Sequence, residues 1–340
     1  VVIKGEVTAN KIEITNTPAN NTFVFENDVI VTTSFISATA MLTTKARLEA
    51  HDISVSGTKW KSFGDITAEN DIVANSIDWE ATGGDIRVKH DLLAVKLVQS
   101  AGKTILNGST PQDVKLKKVK EFIVNSGAKA EITNTLSEDA EIEILENNGI
   151  MTIPDSSKVK IKEVKNSIGA TFDVSGIVED VEKIENEGTI TSLSAAAIAK
   201  LNNVAFIKNI ASAKIEKLKE IKLSSRIEND GEFSCDKLVF NTTLDNITIQ
   251  GNSDAGKTKI KYFFFEGAGG KTLKIKNKIT VSDGLKLSGN SKTSLLNVEG
   301  EGAISVLPSL TGEGEFLAVR TNIPIENGTY KTIRSKPEGS

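Results

Sequence analysis

The chain has 340 residues, with 41 lysines and arginines against 45 aspartates and glutamates and a net charge of −4. The two signs are interspersed, which excludes the clustered basic footprint that nucleic-acid binding requires. One cysteine, Cys235, excludes an internal disulfide, and 39% hydrophobic with only 5% aromatic content points to a core of Val, Ile, Leu and Ala.

From the N-terminus, short alternations such as Lys11-Ile-Glu-Ile-Thr15 predict strands with one face in and one face out. The chain begins at Val1 without a charged and apolar leader, so a processed or excised chain is expected. No run of 18 apolar residues occurs, so no membrane-spanning helix and no direct membrane insertion are expected. Trp60 and Trp79 stand about one repeat apart, and are expected to pack in the core or to form a small platform for a sugar.

The clearest tandem copy lies at 64–103. Gly64-Asp-Ile-Thr-Ala-Glu-Asn-Asp-Ile-Val-Ala74 is followed 20 residues on by Gly84-Asp-Ile-Arg-Val-Lys-His-Asp-Leu-Leu-Ala94. Apolar positions hold while polar ones drift: Ile66 matches Ile86, Ile72 matches Leu92, and Ile77 is aligned with Leu97. Stacked coils demand this, because only inward residues meet the same neighbour above and below. A repeat by translation rather than reversal calls for parallel pairing of each strand with its copy one coil on. The lysine-rich Val114–Phe122 alternates with apolar residues and predicts the solvated face of a strand.

Asparagine then recurs at Asn125, Asn147, Asn166, Asn186, Asn209 and Asn229, with gaps of 22, 19, 20, 23 and 20 residues. Three sites share a phrase: Leu145-Glu-Asn-Asn-Gly149, Ile184-Glu-Asn-Glu-Gly188 and Ile227-Glu-Asn-Asp-Gly231. Asparagine tolerates left-handed corners and, stacked in register, bonds to its own kind, so a structural asparagine ladder is expected. Further along, Ser192–Leu201 is Ala-rich behind a capping serine and reads as a short helical turn, an inserted loop or a coil of small inward residues. Cys235 reads as a small core residue. Tyr262-Phe-Phe-Phe265 is the most apolar run, and as a strand it cannot turn all three phenylalanines inward. Tyr262 and Phe264 are therefore candidate ligand or interface contacts, together with Trp60 and Trp79.

The expected fold class is thus all-β, a parallel β-helix or β-solenoid of about 20 residues per coil. It is expected to run continuously over 1–330, with looser Gly-rich coils from about 251, and 331–340 as a tail or linker. Leucine-rich surface repeats are a rival, because Ile215–Leu223 reads that way locally.

Catalytic chemistry leaves few traces. His51 and His90 lack a metal-binding spacing, and no metal site, cofactor or catalytic residue is expected. The one alternative rests on carboxylates such as Asp71 and Asp91, which the repeat would stack one coil apart as an acid and base.

Units such as Gly64-Asp-Ile-Thr-Ala and Gly84-Asp-Ile-Arg-Val, Ile184–Thr191, and the late Ile325-Glu-Asn-Gly-Thr-Tyr-Lys331 resemble the coils of filamentous-haemagglutinin-type and autotransporter passenger adhesins of Gram-negative bacteria. The resemblance implies a right-handed parallel β-helix, secreted or displayed on the outer cell surface. It also implies a partner that is a host-cell or extracellular-matrix protein or glycan. A non-catalytic adhesin or stalk is the expectation; a β-helix carbohydrate-active enzyme and a pure structural spacer are the alternatives.

Overall fold

The computed structural model describes residues 1–15, 21–89, 92–106, 111–127, 129–132, 136, 140–194, 197–240, 246–251, 257–267, 272–289, 296–306, 314–317, 319–321 and 325–326. The described chain is all-β, built of parallel strands stacked about 20 residues apart into a β-solenoid. It contains two compact units: 1–163 with 170–173, and 164–169 with 174–340. His90, Asp91 and the tail at 331–340 lie outside the described residues.

In the first unit, the strands Val29–Thr44 and Leu48–Ser62 pair in parallel, with Phe35 opposite Ile53 and Leu42 opposite Trp60. The next coil repeats the register, placing Ile72 opposite Ile53 and Trp79 opposite Trp60. The tandem copy stacks as its sequence demands: Ile66 on Ile86, Ala68 on Val88, Ile72 on Leu92. Leu48, Ile66 and Ile86 form one inward column, each no more than 1% exposed. One alignment is corrected. Leu97 pairs with Trp79 and not Ile77, because an irregularity between Ala74 and Asp78 shifts the register.

The Gly-Asp phrase has a physical reason. Gly84 sits at φ +73°, and a Cβ there would lie 2.3 Å from the carbonyl carbon of Gly64, so these corners stack only without a side chain. Asp65 Oδ1 accepts a 2.8 Å hydrogen bond from the Asp85 amide one coil on, which satisfies a backbone donor at the bend.

In the second unit, Ile184, Ile207, Ile227, Ile249 and Ile275 occupy one column across five coils, all at 0% exposure. Burying each side chain contributes roughly 1.5–3 kcal/mol, which is what holds a coil without helices or disulfides. The coils lengthen toward the C-terminus. Ile207 pairs with Ile227 at 20 residues, Ile249 with Ile275 at 26 and Leu285 with Gly314 at 29. The segment before Leu201 is irregular, with its strand beginning at Lys200; Ala195 and Ala196 are outside the described residues, and no helix forms in the rest.

Beside the isoleucine column runs the asparagine column. Asn166 Nδ2 donates to Asn186 Oδ1 at 2.8 Å, Asn186 to Asn209 at 2.7 Å, and Asn209 to Asn229 at 2.7 Å. The second proton of each amide goes to a backbone carbonyl around the corner: Thr189, Lys214 and Glu232 respectively. Asn229 passes the column to Thr258 Oγ1 at 2.9 Å, which also accepts from Asn277 at 3.4 Å. In the first unit Asn147 is likewise buried and donates to the Thr171 carbonyl at 2.9 Å.

Two expectations about this column are corrected. Asn125 is not a rung: the register partner of Asn147 is Val124, and Asn125 lies half-buried just past that strand. Nor do the rungs take left-handed corners. Among the described non-glycine residues, positive φ falls at Asp180, Ala199, Asn203 and Lys217.

Candidate functional site

The strand Thr258–Gly267 carries the Tyr-Phe-Phe-Phe run, and alternation divides it cleanly. Phe263 and Phe265 point inward at 0% exposure, where both contact Phe240, with ring centroids 5.5 and 5.6 Å away. Tyr262 and Phe264 therefore point outward, Tyr262 at 40% exposure and Phe264 half-buried. Their centroids are 6.1 Å apart with ring planes at 54°.

The register assembles a two-column face around them. Along one column stand Lys200, Glu220, Lys237, Tyr262 and Gly284, each opposite the next. Along the other, Lys222 faces Val239 and Val239 faces Phe264. A Cβ at Gly284 would meet Tyr262 Cδ1 at 2.8 Å and Cε1 at 3.3 Å, so the tyrosine ring lies over bare backbone. Lys237 Nζ sits 5.4 Å from the Phe264 centroid, within cation–π range.

Glu220 is the electrostatic centre. Its carboxylate meets Lys237 at 3.3 Å, Lys222 at 3.5 Å and Lys200 at 3.8 Å, while only 12% of its side chain is exposed. Burial opposes its ionisation, but the Lys237 hydrogen bond and the charges of Lys222 and Lys200 outweigh burial and hold the carboxyl below its ordinary range. At the neighbouring bend, Asp236 pairs with Lys261 at 2.6 Å and Lys219 at 3.1 Å.

Sequence reasoning found Tyr262 and Phe264 but missed Glu220, its three lysines and Gly284. The lysines and glutamate sit 20 and 17 residues apart because of a bulge between Ile215 and Leu218, so a fixed period does not align them. Gly284 did carry a signal: a glycine within the alternating Lys278–Gly289 strand marks a close approach.

The tryptophan pair stands elsewhere. Trp60 and Trp79 are both at 0% exposure and stack face to face, with centroids 4.1 Å apart and planes at 9°. The expected sugar platform is thereby corrected, because neither ring reaches solvent. Each indole N–H is satisfied inside, Trp60 by Thr44 Oγ1 at 3.3 Å and Trp79 by Ser62 Oγ at 2.9 Å.

Other titratable groups do not gather into a centre. His51 is exposed and bonded to Asp52 at 2.9 Å. The stacked carboxylate pair of Asp71 and Asp91 falls on the undescribed Asp91. Among the described residues no group of three His, Cys, Asp or Glu is placed to hold a metal ion. Cys235 is buried, and burial pushes its thiol pKa far up. No family model, no curated protein and no solved structure matches this chain.

Proposed function

We propose that the chain is a non-catalytic β-solenoid adhesin or stalk of a bacterial cell surface or secretion, acting by binding through its outward strand faces. In-register stacking puts outward side chains of consecutive coils about 5 Å apart, where like charges repel. This sequence alternates the signs: Glu26 with Lys45 at 3.1 Å, Asp28 with Arg47 at 3.1 Å, Lys214 with Glu232 at 3.3 Å, and Glu69 with Lys89. Such self-neutralised faces suit a scaffold that stays soluble while repeating.

The observation that carries the binding reading is Tyr262. Its strand already fills the core with Phe263 and Phe265, so an aromatic ring 40% exposed on the outward side has no packing role that demands it. The partner would be a host-cell or matrix glycan or protein.

The test is retention of beads coated with the purified chain on immobilised matrix proteins, glycans and host cells. Retention that drops in a Tyr262→Ala, Phe264→Ala double variant supports the reading. Retention nowhere would favour a spacer, and depolymerisation of a polysaccharide on the array would favour the enzyme.

A further inference from the structure

The face around Tyr262 departs from the rule that the rest of the outward surface follows. Elsewhere a cation in one coil meets an anion in the next, as in Asp28 with Arg47 or Lys214 with Glu232. Here one carboxylate, Glu220, is shared by Lys200, Lys222 and Lys237. The surplus is positive and lies on the same two columns as the exposed aromatics. Lys237 is one coil from Tyr262, and Glu220 with Lys222 is two coils away. At about 5 Å per coil, that places cationic heads roughly 5 and 10 Å from the ring.

We propose that this face binds an acidic saccharide, with one pyranose resting its C–H face on the Tyr262 ring and an anionic group of the next sugar meeting Lys237 and Lys222. The assignment deepens the adhesin reading and rests on it for the biological setting alone. Three features favour a sugar over other occupants. The Tyr262 ring is backed by Gly284 and not by a side chain, which gives a low floor with one face open. The floor lies beside polar groups rather than in an apolar groove, since Val239 is its one aliphatic neighbour in the second column. The cations are spaced by the coil, which matches the successive residues of a linear chain better than a single phosphate. Glu220 keeps the lysines extended along the surface and accepts hydroxyls where it is not occupied by them.

The experiment is calorimetric titration of the full chain with hyaluronan hexasaccharide, which carries a carboxylate on alternate sugars. Chitohexaose serves as the neutral counterpart. Expected is saturable binding that weakens as salt rises, with chitohexaose bound about tenfold more weakly. Tyr262→Ala weakens binding about tenfold and Lys237→Gln several-fold, while Tyr262→Phe retains it. Phe63→Ala, an exposed aromatic of the other unit, leaves it unchanged. These are surface positions, and circular dichroism on each variant verifies that the fold is kept.

A chondroitin sulfate hexasaccharide that binds tighter and still depends on Tyr262 supports the proposal and names sulfate as the anion. Equal affinity for chitohexaose overturns it, as does hyaluronan binding that is indifferent to Tyr262→Ala. Hexaglutamate binding as tightly as hyaluronan overturns it in favour of an acidic peptide. The two readings fail separately. Adhesion that survives Tyr262→Ala removes only the saccharide site, whereas saccharide binding without adhesion to any cell or matrix removes only the adhesin role.

Discussion

Asn186 donates a 2.7 Å hydrogen bond to Asn209, and Asn209 donates one of the same length to Asn229. Both donors also reach a backbone carbonyl one corner on, so each buried amide joins two coils and two strands at once. The column is thus a polar seam in an aliphatic core. It fixes register, because a slip of one residue would strand every amide.

Asn209→Ala is expected to cost about 3 kcal/mol, since it leaves the Asn186 amide, the Asn229 oxygen and the Glu232 carbonyl unpaired in the core. Asn125→Ala, outside the column, is expected to cost under about 0.5 kcal/mol. Amide exchange is the measurement, because coils open locally and exchange reads the coil affected. Equal effects at the two positions would contradict the ladder as described.

Ser62→Ala tests how the tryptophan stack is held. Ser62 is at 0% exposure and accepts the Trp79 indole proton at 2.9 Å. Its loss strands a buried donor, at about 1–3 kcal/mol, without altering the apolar contact of the two rings. Urea denaturation with near-ultraviolet circular dichroism should show the loss. Unchanged stability would mean that the indole finds another partner.

Why the repeat was legible and the face was not follows from these residues. Ile66 and Ile86, or Asn186 and Asn209, are buried where identity is enforced by an identical neighbour, so the sequence repeats visibly. Outward residues answer only to charge balance, and bulges such as that between Leu201 and Val204 alter their spacing from coil to coil. That is why Glu220 and its lysines left no periodic trace. Bulges also explain the two misalignments, Ile77 with Leu97 and Asn125 with Asn147. Thr258 was missed as a rung because its hydroxyl serves where Gly251, the register partner of Asn229, has no side chain.

Glu220 gives the second unit a defined acid sensitivity. Its carboxyl is held below the ordinary glutamate value of 4.5, so its contribution to stability is complete above pH 4.5 and is lost as pH falls through the depressed value. Glu220→Gln should flatten stability between about pH 5 and 3 relative to the parent chain, measured by thermal melts across that range. A parent and variant with parallel profiles would show that the three lysines stabilise nothing through this group.

Cys235 is expected to resist thiol reagents at pH 8 in the folded chain, because burial disfavours the thiolate. In denaturant it should react at the rate of a free cysteine. Fast labelling of folded protein would mean that the core around it opens readily.

The most direct test of parallel, in-register coils uses nitroxide labels on outward positions. Lys208 stands opposite Glu228 in the next coil, and Glu185 opposite Lys208 in the coil before. Labels at Lys208→Cys and Glu228→Cys sit on backbones about 5 Å apart and should broaden each other's spectra strongly, whereas labels at Glu185→Cys and Glu228→Cys, about 10 Å apart, should broaden them less. A 208/228 spectrum equal to the sum of the two single labels would contradict the stacking from which every other inference descends.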